Sequence, residues 1–184
     1  MRYTAEHKQQ THSRIVDEAA TAFRGHGVDG IGLVDIMKGV GLTHGGFYAH
    51  FKSKDALVEE AVAAALDQTF GRLRDQVMAE PPERRFATLV RSYLSRQHRD
   101  AREQGCSYAA LGTDLARQPA SVRAAAASRM ERMVRLIEDV QGRGEEAAQA
   151  ALSMMVGALT LSRIVEDRER SDRILADARK ALIG

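Results

Sequence analysis

The sequence has no tryptophan, three prolines, a single cysteine and only 5% aromatic residues. With Cys106 alone, an intramolecular disulfide is excluded. No Cys-Cys or Cys-His spacing offers a ligand set for structural zinc, so neither a metal nor another cofactor is expected. Long hydrophobic runs are missing too. The most apolar window, "ALSMMVGALTL" from Ala151 to Leu161, is about half the length that a bilayer-spanning helix requires, so no membrane partner is expected. The N-terminal stretch "MRYTAEHKQQ" is polar throughout and shows no targeting pattern, so a cytoplasmic chain is expected. A strong charge excess is also lacking. The net charge of +2 does not mark a nucleic-acid binder by itself, so the clustering of charge has to decide.

What is present points to helices. The 184 residues are 44% hydrophobic and 28% charged, the balance of a soluble globular protein with room for one substantial core or a small module joined to a larger one. Runs of Ala, Arg, Glu, Leu and Met favour helix, and no strand pattern, repeat or low-complexity tract interrupts them. The fold class is therefore all-α, with about nine helices. Ile15, Ala19, Ala22 and Phe23 share one face of a helix over about 7–24, which "GHGVDG" ends. A short helix over 33–40 turns Leu33, Ile36, Met37 and Val40 inward, and Gly41 stands where a left-handed C-terminal cap is wanted. Thr43 suits the N-cap of the helix that follows, and Ser53 that of a long one with a wide apolar stripe from Leu57 to Val77. "EPPE" at Glu80–Glu83 stops it. Further helices are expected over 83–102, 107–116, 120–141, 145–168 and 171–183.

One stretch breaks the local rule. In "GLTHGGFYAHFKSK", from Gly41 to Lys54, Gly45 and Gly46 sit side by side where helix is expected, although each disfavours helix by roughly 0.5–1 kcal/mol relative to alanine. A short helix, a tight glycine turn and a second helix beginning on a hydroxyl residue make a helix-turn-helix, the unit that places its second helix in a DNA major groove. Glycines at the start of that helix would let backbone approach a duplex closely. His44, Tyr48, His50, Lys52 and Lys54 supply imidazole, hydroxyl and ammonium donors for phosphates, and five of the six histidines precede Phe51. Taken singly, each has an ordinary reading, the histidines and lysines as solvated surface residues and Tyr48 as a core aromatic with an exposed hydroxyl, and it is their combination that carries weight.

The run "IMKGVGLTHGGFYAHFKSKDAL", from Ile36 to Leu57, resembles the TetR family of bacterial transcriptional regulators. The resemblance covers the first third of the chain well; beyond it only helix count and a Gly-Cys pair, Gly105-Cys106, are similar to some relatives. It implies a DNA-binding domain over 1–53, a ligand-binding and dimerisation domain over 54–184, a homodimer, a palindromic double-stranded DNA operator and a small-molecule or electrophile effector that releases a repressor. It makes Thr43, Tyr48 and Lys54 look like phosphate contacts and His44, Gly45 and His50 look like groove or nearby backbone contacts, with Gly46 beside them. Phe47 and Phe51 would face the module's own core. Met37 stands where the family usually has alanine, and Gly32 where a capping threonine is common. With no Arg, Asn or Gln between Thr43 and Phe51, the usual bidentate base readers are absent, which leaves histidine, water or DNA shape to give specificity.

Candidate ligand residues in the C-terminal part are Tyr93, Cys106, Tyr108, Met130 and Met154, the methionines being better suited to core filling. For Cys106 two readings stand: a reactive thiol at a helix N-terminus or a small buried residue, inert because apolar surroundings raise its pKa. Met154, Met155, Ala158, Leu161 and Val165, with Ile174, Leu175, Ala178 and Leu182, offer an apolar face for a second copy. An alternative function is a helical protein-interaction module without specific DNA binding. An enzyme built on Cys106 and His98 is disfavoured, because the two lie eight residues apart across a glycine break with no third orienting group.

Overall fold

A computed structural model of the protein describes residues 5–184, so the first four residues of the polar N-terminal stretch lie outside it. Among the described residues there is no strand. The α-helices are α1 (Ala5–His26), α2 (Leu33–Gly39), α3 (Lys54–Met78), α4 (Pro82–Tyr93), α5 (Arg96–Asp100), α6 (Ser107–Ala116), α7 (Ala120–Gln141), α8 (Glu145–Ile164) and α9 (Arg168–Ile183). Two 3₁₀ turns, His44–Ala49 and Arg102–Gln104, complete the order.

Local chemistry sets most of the helix ends. At the end of α2, Gly41 takes φ +73°. Its N–H donates to the Lys38 carbonyl and that of Leu42 to the Met37 carbonyl, both at 2.9 Å, closing a Schellman cap. Ser53 accepts from the Ala56 N–H at 3.1 Å and starts α3. Two expected helices are shorter than their periodicity suggested. The span 83–102 breaks after Tyr93, because the Ser95 hydroxyl accepts from the His98 N–H at 3.0 Å and begins α5 as a separate turn. The span 145–168 ends at Ile164, because Asp167 caps α9 by accepting from the Arg170 N–H at 2.9 Å. Val165 is consequently extended backbone rather than part of a helix face.

Two apolar clusters form the core. The first joins α1, α2, the His44–Ala49 turn and the N-terminal half of α3 to Leu111, Leu115, Val122 and Ala126 of α6 and α7. The second gathers Leu73, Val77, Tyr93 and Leu94 with the inner faces of α7, α8 and α9. Helix α3 runs through both, giving Leu57–Leu66 to one and Leu73 and Val77 to the other. Tyr108 packs against both clusters, and its hydroxyl donates to the Ala126 carbonyl at 3.0 Å. Helix α8 is long and apolar enough by length and composition to cross a membrane, longer than its most apolar window implied. Its inner face, including Leu152, Met155 and Leu159, is buried in the second cluster.

Candidate nucleic-acid interface and regulatory cavity

The helix-turn-helix is held from behind by aromatic packing. Phe47 and Phe51 are buried and stack at 5.4 Å between centroids, and His12 of α1 stacks on Phe51 at 4.4 Å. Met37 is fully buried where a smaller residue would leave a gap, and a Cβ placed on Gly46 would lie 3.9 Å from its Cε. That is an ordinary van der Waals distance, so Met37 does not by itself require glycine at 46.

With this inner face fixed, Thr43, His44, Gly45 and Tyr48 are left exposed, Tyr48 to 65%. The expected second helix forms, but as a 3₁₀ turn of six residues, in keeping with its brevity and two poor helix formers. Thr43 stands at its N-cap with extended backbone, yet its side chain makes no capping bond, which corrects the expected role and leaves the hydroxyl available to an outside acceptor or donor. Neither Gly45 nor Gly46 has positive φ, and a Cβ on Gly45 would meet nothing within 4 Å. The fold therefore does not require glycine at 45; its effect is a bare backbone on an exposed surface. Lys54 opens α3, 4.0 Å from the Asp29 carboxylate.

His50 does not join this exposed row. Its ring lies 6.3 Å from that of His12, and its Nδ1 is buried without a hydrogen-bond partner. Burial, then the nearby His12 and Lys8 charges, depress its pKa. It is partly buried and packs towards α1 through this nitrogen, less exposed than the row of Thr43, His44, Gly45 and Tyr48.

In the C-terminal part, a groove of about 480 Å³ opens between α3, the end of α4 and the segment 95–105. Of the five candidate ligand residues it is lined by Tyr93 alone. Met130 is partly buried against the second cluster, and Met154 is 42% exposed on the outer face of α8, so neither borders this groove. Cys106 lies behind the groove at the N-cap of α6, fully buried, and desolvation raises its thiol pKa. The apolar surroundings therefore outweigh the helix terminus. Tyr93 is likewise buried, with its hydroxyl beside the Cys106 thiol; burial, then that thiol, raises its pKa.

His98 and Cys106 do meet, which their separation in sequence concealed. The Cys106 amide, not its thiol, donates to His98 Nε2 at 2.8 Å, while His98 Nδ1 lies 2.6 Å from the Tyr93 carbonyl. Only the neutral imidazole with its proton on Nδ1 satisfies both bonds. This is a brace across a break in the helices, not a nucleophile and base pair.

Arginines from three helices clamp the same segment. Arg24 of α1, buried to 4% exposure, donates through Nε to the Glu103 carbonyl. Arg72 of α3 donates to the Gln104 carbonyl at 2.5 Å, and Arg163 of α8 to the carbonyls of Arg99 at 3.1 Å and His98 at 3.0 Å. The segment lining the groove is thereby tied directly to α1, the helix that packs behind the exposed turn. Sequence reasoning passed over Arg24, Arg72, Arg91 and Arg163. Their density was visible, but nothing in a helical pattern says that separate helices converge on one loop.

Residues 15–61 match the family model described as bacterial regulatory proteins, tetR family. The repressor KstR2 of Mycobacterium tuberculosis is 34% identical over 107 residues, which is 57% of this chain and 52% of that protein. The N-terminal third of the chain is thus similar to the TetR family. The regulator TtgR of Pseudomonas putida is 37% identical to this chain over 73 residues, 40% of it and 34% of TtgR. The match thus spans about half the length of curated relatives such as KstR2, or less. The fold extends further. The reduced form of NemR from Escherichia coli superposes with a TM-score of 0.80 over 95% of each chain at 18% identity. A TetR-family regulator from Cytophaga hutchinsonii gives 0.77 over 98% of this chain and 96% of its own, also at 18% identity.

Proposed function

We propose that this chain is a ligand-responsive, DNA-binding transcriptional regulator, a repressor that acts in the cytoplasm as a homodimer on a palindromic operator. Residues 1–53 bind the operator; residues 54–184 bind the effector and the second copy. The observation that carries the reading is the exposed row Thr43, His44, Gly45 and Tyr48, fixed from behind by Phe47, Phe51 and Met37 and followed by Lys54 at the start of a helix. Hydroxyl and ammonium donors on so short a surface suit phosphate oxygens, and a rigid backing sets their register on a duplex. The regulators matched in sequence support the same reading.

Phosphate contacts carry little sequence information but release counterions. Lys54→Ala should therefore weaken binding to all duplexes alike and flatten the slope of log K against log salt by about one unit. His44→Ala should instead change which bases are preferred. Titration of labelled operator over a salt series, with DNA selection for the His44 variant, reads both. Unaltered binding by both variants would remove this turn as the reading head.

A further inference from the structure

We infer that the groove between α3, α4 and the 95–105 segment takes an amphipathic oxyanion, a carboxylate or phosphate carried on an apolar body, held by Arg91 and Arg72. The inference rests on the proposed regulator function and names the chemical class of its effector. The groove is of a size for a small molecule. Leu73, Tyr93 and Ala101 give it an apolar wall, two arginines stand on it, and none of the described lining residues is acidic.

The state of those arginines is the informative point. Several other arginines are paired with carboxylates, as in Arg129 and Arg132 with Asp67, Arg96 and Arg99 with Asp172, and Arg168 with Asp100. Among the described residues Arg91 has neither an ion pair nor a hydrogen bond, and Arg72 spends one amino group on the Gln104 carbonyl. Both side chains are exposed at the groove, where a guanidinium fork can match a carboxylate or phosphate in a bidentate way. His98, also on the wall, has both nitrogens committed to the Tyr93 carbonyl and the Cys106 amide, so it does not compete for the head group. A cationic effector would meet repulsion here, and a neutral one would leave the arginines unanswered.

The same residues give such a ligand a route to the DNA-binding module. An oxyanion on Arg72 competes with the Gln104 carbonyl for its donors, and the adjoining Glu103 carbonyl is the one that Arg24 of α1 holds. Drawing Arg72 away loosens the 102–104 turn at its contact with α1, a differential interaction of the kind that shifts a two-state equilibrium.

Isothermal titration of the purified full chain without DNA tests the assignment, using decanoate, decyl phosphate and, as the uncharged control, decanol. At least one of the two anions binds the parent, and decanol binds more weakly. Arg91→Glu lowers the anion's affinity roughly tenfold or more, the size expected when a charge-assisted hydrogen bond is lost. Arg91→Gln lowers it in the same direction while keeping polar bulk. Thermal unfolding of both variants stays at the parent's temperature, because Arg91 makes no internal bond. No binding of either anion, decanol binding as tightly, or undiminished binding by a folded Arg91→Glu chain would each overturn the assignment. Operator binding is measured separately without amphiphile. Failure there counts against the DNA-binding reading and leaves the groove titration to stand on its own.

Discussion

At His98 a single imidazole replaces the hydrogen bonds that a continuous helix would have made between Tyr93 and Cys106. Burial lowers its pKa, the backbone bond to Tyr93 opposes this, and the Arg163 and Arg72 charges add to the lowering. The folded state therefore binds the His98 proton less readily than the unfolded chain, whose value is near 6.5. The brace contributes its full stability above about pH 6.5 and loses it progressively as pH falls below that value towards the depressed folded-state pKa. His98→Asn should cost about 1–3 kcal/mol at pH 7.5 by leaving the buried Cys106 N–H without its acceptor. Its difference from the parent should shrink towards pH 5.5 in urea unfolding. A difference independent of pH would show that His98 is not the titrating group. Gly45 supports the opposite kind of argument. A side chain there meets nothing in the free protein, so Gly45→Val should keep the parent's unfolding transition within about 0.5 kcal/mol while abolishing operator binding. Retained affinity would mean that no backbone approaches DNA at that point.

Among the elements, helix ends separate two uses of glycine. Gly41 has φ +73° with open space around it, so Gly41→Ala meets only the conformational cost of the left-handed region, about 1 kcal/mol. Gly30 lies in the corner between α1 and α2, where a Cβ would fall 1.9 Å from the His26 carbonyl oxygen. That contact is with backbone and requires the corner to shift, so Gly30→Ala should destabilise by about 2 kcal/mol or more. Chemical denaturation of the two variants side by side decides it. Equal costs would mean that the α1–α2 corner rearranges freely.

For the whole molecule, the surface on which a second copy would sit is narrower than the helical periodicity suggested. Leu175 and Ala178 of α9 are buried in the chain's own core, with Ile174 and Leu182 packed against it, and Met155 and Ala158 of α8 are buried too. What remains outward on α8 is Met154, Leu161 and Ile164, exposed to 42%, 56% and 70%. Three large apolar side chains on one outer helix face suit a self-complementary two-fold contact. Leu161→Glu with Ile164→Glu should yield a monomer by light scattering at micromolar concentration and weaken operator binding at least tenfold through loss of the second half-site. A dimeric double variant would place the contact elsewhere.

Helix class, most helix ends and the exposed row on the helix-turn-helix were legible because each rests on near neighbours. A 3.6-residue period, the hydroxyl of Ser53, the glycine at 41 and the run from Ile36 to Leu57 all act within a few residues of chain. The breaks at Ser95 and Asp167 were equally local in cause, but the apolar period ran across them and hid the capping residues. Which way His50, Met154 and the α9 residues face, and the meeting of Arg24, Arg72 and Arg163 on one loop, were decided only in the tertiary structure. Those facts depend on how distant helices rotate and stack against each other to bury two clusters. Sequence spacing carries the face of one helix but not its partner across the core.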